Sequence, residues 1–161
     1  MDEAADLAVR LDGLVFADLT TDQVTARIID EVVAWGRGHG WRVYRRAKSV
    51  VPLPPPLEQQ HSVLDVGVAR ADGPPLAIEV DHADRRRTVE KLLAEAEAGR
   101  LTIWVRWGTG PFAVPPLPVR MVTLQVTRRG HTYSRRPDRP PPPHGSAVIG
   151  AAAEPIPLDD A

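Results

Sequence analysis

Ser62-Val63-Leu64-Asp65-Val66-Gly67-Val68-Ala69-Arg70 and Leu76-Ala77-Ile78-Glu79-Val80-Asp81 are two apolar runs with three acids set into them. Asp72-Gly73-Pro74-Pro75 lies between them, so the pair predicts two strands joined as a hairpin. Side chains alternate along a strand, which puts Glu79 and Asp81 on one face and Leu76, Ile78 and Val80 on the other. The same rule groups Asp65 with Gly67 and Ala69, opposite Leu64, Val66 and Val68. Strands this apolar belong inside a sheet, where an unpaired carboxylate is costly or takes up a proton. Three acids converging there repel one another unless a cation lies between them. Asp65, Glu79 and Asp81 are therefore candidate metal ligands, and an oxygen-only set points to Mg²⁺ or Mn²⁺ rather than zinc. The competing reading leaves Asp65 and Glu79 on a solvated sheet face, paired with arginines.

Working outward, Thr20 and Gln23 form a capping box that starts a helix, and Val24, Ile28, Val32 and Trp35 recur along its apolar stripe. Gly36-Arg37-Gly38-His39-Gly40 ends that helix; lacking a Gly-Lys-Ser/Thr ending, it is a cap and turn rather than a phosphate loop. Trp41 to Arg46 reads as a strand, and the proline-rich Val51 to Pro56 as a loop. After the hairpin, Asp84 or Thr88 can cap a helix running to Gly99, with Val89, Leu92, Leu93 and Ala96 on one face. Strands follow at Leu101–Trp107 and Val119–Val126. The expected organisation is an acidic helix and connector over 1–19, an α/β core over 20–130, and a Pro-rich tail without fixed structure over 131–161. The Pro140 to Pro143 run within that tail could dock on a protein partner's aromatic groove.

The chain has 161 residues, 43% of them apolar but only 5% aromatic, so aliphatic side chains must build the core. A formal charge of −1 argues against a uniformly basic nucleic-acid binder and leaves room for a local basic face. With no cysteine, disulfides and thiolate metal sites are excluded. The acidic opening Met1-Asp2-Glu3 is unlike a secretory signal, and no apolar run reaches the roughly 18 residues of a membrane span. A cytoplasmic protein with no membrane partner is expected. Lys48 and Lys91 are the only lysines against eighteen arginines, a bias of GC-rich genomes that weakens arginine abundance as a functional signal.

The order helix, strand, strand, strand, helix, strand, with Asp65 on the second strand and Glu79-Val80-Asp81 on the third, resembles the PD-(D/E)XK nuclease superfamily between Thr20 and Gly108. The resemblance implies an αβββαβ restriction-endonuclease-like core with a mixed central sheet. It also implies hydrolysis of DNA phosphodiesters with Mg²⁺ or Mn²⁺, and pairing into a homodimer to cut two strands. Asp65 and Glu79 would be the metal-binding acids, and Glu31, or less favourably Asp30, the helix-borne acid found in some branches. The family usually carries Lys two residues after the Glu, where this chain has Asp81. Some branches move the base to the following helix, which implies Lys91 or Arg87. Asp81 is then either an added ligand or the mark of an inactive nuclease-fold module that binds DNA or a protein partner.

A lysine beside Leu92 in an amphipathic helix is ordinarily a solvated flank, and Glu31 is more often surface than ligand. Arginines cluster at Arg42, Arg45 and Arg46 with Lys48, at Arg85 to Arg87, and from Arg120 through Arg136. Arg45, Arg46, Arg85 and Arg87 would flank an acidic cleft in this fold class and hold DNA phosphates. The five histidines have no metal-ligand spacing. Simple alternation puts Trp104 and Trp107 on opposite faces, so one core tryptophan at most is expected, with an exposed Trp107 free to stack on a base.

Overall fold

A five-stranded mixed sheet carries both acidic strands in the computed structural model, which describes residues 1–136. The elements run α1 (Glu3–Asp12), β1 (Phe16–Leu19), α2 (Thr21–Gly38), β2 (Arg42–Pro52), β3 (His61–Ala69), β4 (Leu76–Asp81), α3 (Arg86–Glu97), β5 (Leu101–Gly108), β6 (Arg120–Gln125), β7 (Thr127–Arg129) and β8 (Thr132–Arg135). Strand order in the main sheet is β2-β3-β4-β5-β6, antiparallel from β2 to β4 and parallel from β4 to β6. From α2 to β5 the succession is the expected α, β, β, β, α, β. Helix α3 is the crossover that makes β4 and β5 parallel.

Helices cover both faces of the sheet, and this decides what is buried. The larger core joins Leu7 and Leu11 of α1 and Val24, Ile28 and Val32 of α2 to Val66, Ile78, Val80, Val105 and Trp107. A smaller cluster on the other face joins Leu64, Ala77 and Trp104 to Leu92 of α3. Trp104 and Trp107 do lie on opposite faces, but they are 2% and 0% exposed, so both are core. The expectation of one buried tryptophan assumed a sheet covered on one side only, and Trp107 cannot stack on a base.

Several boundaries differ from the sequence reading. The capping box forms, with Thr20 Oγ1 accepting from Gln23 N and Gln23 Oε1 accepting from Thr20 N. Neither Asp84 nor Thr88 caps α3; its N-cap position is Arg85, with no side-chain cap. Strand β2 runs on to Pro52, which an edge strand tolerates because its outer N–H needs no partner. The first nineteen residues are no mere connector. Leu7 and Leu11 are fully buried, and α1 spends its acids on internal ties: Glu3 with Arg70, and Asp6 with Trp35 Nε1 at 2.8 Å and His39 Nε2 at 2.7 Å. A second sheet, β1-β8-β7, was not anticipated, and β8 occupies residues assigned to the tail. The Pro140 to Pro143 run lies outside the described residues.

One irregularity shapes the site. On β2, Val43 and Arg45 turn to α2: a Cβ on Gly36 would lie 2.6 Å from Val43 Cγ2, and Arg45 pairs with Asp30 at 2.8 Å. Ala47 and Ser49, of the same parity, turn instead to α3, where Ala47 joins the smaller cluster and Ser49 meets Glu95. Strand β3 does the same, with Val66 in the large core and Leu64 in the small one. The register pairs Arg45 with Val66 and Ala47 with Leu64, so both strands exchange faces between these pairs, at Arg46 and Asp65. Arg46 absorbs the turn with a left-handed φ of 52°. Beyond this pivot the β2–β3 ribbon curls over α3.

Candidate active site

Asp65 and Glu79 meet where β3 and β4 part. Ladder pairing holds at Val66–Ile78, Gly67–Ala77 and Val68–Leu76, and ends before Asp65 and Glu79. Past that point each carboxylate takes over a backbone donor of the neighbouring strand. Glu79 Oε2 accepts from Asp65 N at 2.7 Å, and Asp65 Oδ2 accepts from Val80 N at 2.8 Å. Buried N–H groups must find acceptors, so the two acids are built into the sheet, each through one of its oxygens.

Lys91 completes the group. Thr88, Lys91, Leu92 and Glu95 follow the i, i+3, i+4, i+7 spacing of one helix face, which α3 lays against the sheet. The ammonium donates to Glu79 Oε1 at 2.9 Å and to Val63 O at 2.8 Å. Side-chain exposure is 11% for Lys91 and 7% for Glu79. Lys91 is therefore no solvated flank. Its seat depends on the curled ribbon, which Glu95 fastens to α3: the fully buried Glu95 Oε2 accepts from Ser49 Oγ at 2.6 Å and Val50 N at 2.7 Å.

The electrostatics follow from burial. Desolvation, more than any other cause, raises the Asp65 carboxyl above its ordinary value; the charge of Asp81 adds to this, while the Val80 N–H, Lys91 and Arg46 oppose it. Glu79 is pushed up to about 7, by burial first and then by the charge of Asp65, despite its bond to Lys91. Two carboxylates held this close resist ionising together, a state that a cation between them would relieve.

The other expected residues are placed as follows. Asp81 lies on the same strand face as Glu79, its Oδ2 accepting from Trp104 Nε1 at 2.9 Å and its Oδ1 3.4 Å from Arg85 Nε. Glu31 is turned to α1, where Arg10 Nε donates to it, so the structure does not bring it to Asp65 and Glu79. Asp30 is tied to Arg45 on the α2 side. Among the described residues there is no group of three His, Cys, Asp or Glu that could hold a metal by itself. Arg46 and Arg87 are exposed, and neither has an acidic partner among the described residues.

One neighbour was missed. Arg106, buried beside Asp81 on β5, pairs with Asp84 and lies 4.9 Å from the Trp104 ring centroid. Its alternation with Trp104 was the available signal. His82 faces the other way, stacked on Trp107 at 4.1 Å with Nε2 3.3 Å from the Tyr133 hydroxyl, and so joins the small sheet to the main one. No family model matches this chain, and a comparison with curated proteins returns no match. No helix among the described residues is long and apolar enough to cross a membrane.

Proposed function

We propose that this protein is a Mg²⁺-dependent nuclease that hydrolyses DNA phosphodiester bonds, with Asp65 and Glu79 as the metal-holding pair and Lys91 as their basic partner. The observation that carries this reading is the crossed bonding of Asp65 and Glu79 at the parting of two strands, with a buried lysine reaching the same carboxylate from α3. The donor chemistry fits. Mg²⁺ keeps several waters and is bound through one or two carboxylates plus substrate phosphate, so a pair of acids suffices where a closed cage would need more. The Val80 carbonyl, on the residue between Glu79 and Asp81, is a further candidate oxygen. The ion supplies, when bound, a lowered pKa for an attacking water and neutralisation of charge at the phosphoryl oxygens.

The chain's own groups do the rest. Backbone donors from Asp65 and Val80 fix both carboxylates before substrate arrives, so little reorganisation remains to be met on binding. Lys91 holds a positive charge beside Glu79, placed to orient a water or to stabilise a phosphoryl oxygen as one bridging P–O bond breaks. It thus takes the part that the residue two beyond Glu79 plays in the family this chain resembles. Asp81 is engaged with Trp104 and Arg85, which suits an anchor for the start of α3.

A second reading, a nuclease-fold module that binds DNA without cutting, is favoured by one observation: Lys91 already serves as an internal counter-charge for Glu79. Incubation of supercoiled plasmid with Mg²⁺ separates the two. The proposal predicts nicking by wild type, abolished by chelation and by Asp65→Asn or Glu79→Gln. DNA binding without nicking at any metal concentration would favour the module.

A further inference from the structure

Arg46 is an arginine in a backbone conformation that arginine rarely adopts. Its φ of 52° costs on the order of 1 kcal/mol for a residue with a Cβ, and such strain persists only where the surroundings impose it or a function retains it. Asp18, the other non-glycine residue at positive φ, is of a type that tolerates this region, and Ser134 Oγ accepts from its N–H. Arg46 has no such support: none of its side-chain atoms makes a hydrogen bond or ion pair among the described residues. Yet it sits at the pivot where β2 and β3 exchange faces, between the pairs Arg45–Val66 and Ala47–Leu64 that flank Asp65 on the facing strand. The guanidinium is exposed, yet close enough to Asp65 for its charge to oppose the upward push of burial on that carboxyl.

Four neighbouring arginines are committed, while Arg87, exposed and without an acidic partner among the described residues, is carried on α3 rather than at the pivot. Arg45 is paired with Asp30, Arg85 with Asp81 and Arg86 with Glu90. Arg106 is buried against Asp84. A phosphate approaching Asp65, Glu79 and Asp81 meets three carboxyl groups, and needs a cation on the substrate side that is not already neutralised. We propose that Arg46 is the phosphate-positioning residue of this site, its left-handed kink holding a free guanidinium at the rim of Asp65 and Glu79 to bind a phosphate of duplex DNA. The inference rests on the nuclease reading of the acid pair. The planar fork of arginine suits a phosphate better than a lysine ammonium does.

Glycine is the informative substitution, because it adopts φ of 52° without strain while removing the side chain. Fluorescence anisotropy of a labelled duplex in EDTA, over a potassium chloride series, reads the DNA arm for wild type, Arg46→Gly and Arg46→Lys. Calorimetric Mg²⁺ titration of the same proteins and of Asp65→Asn reads the metal arm. Arg46→Gly is expected to retain its urea midpoint, to bind duplex about tenfold more weakly at low salt, and to lose about one unit of the slope of log K against log salt. Arg46→Lys should keep the slope and lose part of the affinity. Mg²⁺ affinity should stay close to wild type in both and be lost in Asp65→Asn.

Wild-type duplex affinity and slope in Arg46→Gly would overturn the assignment while leaving the nuclease reading standing. A change confined to Mg²⁺ affinity would also overturn it, making Arg46 a support for the carboxylates. Unchanged Mg²⁺ binding in Asp65→Asn is the separate result that defeats the underlying reading, and absence of duplex binding by wild type overturns both.

Discussion

Replacing Glu79 by Gln should make the metal-free protein relatively more stable as pH rises. The Glu79 carboxyl titrates at about 7 in the fold, against 4.5 for an ordinary glutamate. Below pH 4.5 it is protonated in both folded and unfolded chains and contributes no pH dependence. Between 4.5 and 7 the folded chain keeps a proton that the unfolded chain has released, so stability falls as pH rises. Above the folded value both forms are ionised and the full penalty is present. A difference of this size corresponds to about 3 kcal/mol at most. The glutamine amide of the variant retains an oxygen to accept from Asp65 N–H but has nothing to titrate. Urea denaturation in EDTA from about pH 5 to 8, followed by tryptophan fluorescence, measures both proteins. Wild type should lose about 2–3 kcal/mol relative to Glu79→Gln over that span. Saturating Mg²⁺ should offset this loss in wild type alone, because it favours the ionised pair. Parallel pH profiles for the two proteins, or a relative gain by wild type, would refute the geometry and burial from which the prediction is built.

Three other outcomes follow from the same contacts. Lys91→Met leaves Glu79 and Asp65 buried without their counter-charge, and should cost about 3–5 kcal/mol at pH 8 and less at pH 5, where Glu79 carries a proton; urea midpoints at the two pH values check this. Gly36→Ala drives a methyl to 2.6 Å from Val43 Cγ2 and should cost about 1–3 kcal/mol, with Val43→Ala in the same chain restoring part of the thermal midpoint. Glu95→Ala removes the acceptor from Ser49 Oγ and Val50 N and should cost about 3 kcal/mol in urea denaturation. It should also speed amide exchange in β2 beyond Arg46.

What the sequence disclosed and what it hid have physical reasons. The hairpin and its acids were legible because charged residues inside β-branched runs break a strong pattern, and Thr20 with Gln23 is a capping signal that works locally. The seat of Lys91 was not. A helical period is satisfied with Lys91 on either flank, and only the curl of the β2–β3 ribbon decides that it points at Glu79. That curl arises at Arg46 and Asp65, where alternation fails on both strands at once, so the rule that grouped Leu64 with Val66 and Val68 went wrong at the site itself. Glu31 could be placed on its helix, but the partner that claims it, Arg10, comes from α1, an element whose packing local pattern does not reveal. The strands β1, β7 and β8 are short, and β7 is wholly exposed, leaving no apolar alternation to find. The closeness of the Arg-Pro stretch to β8 further masked where the folded part ends.

Calorimetric titration of Mg²⁺ into the purified protein near neutral pH, for wild type and for Asp65→Asn, tests the central claim most directly. Saturable binding by wild type, lost in a variant that still unfolds cooperatively in urea, is the predicted result. Identical titrations of the two proteins, or no Mg²⁺ binding by wild type, would contradict the assignment of Asp65 and Glu79 as a metal-holding pair.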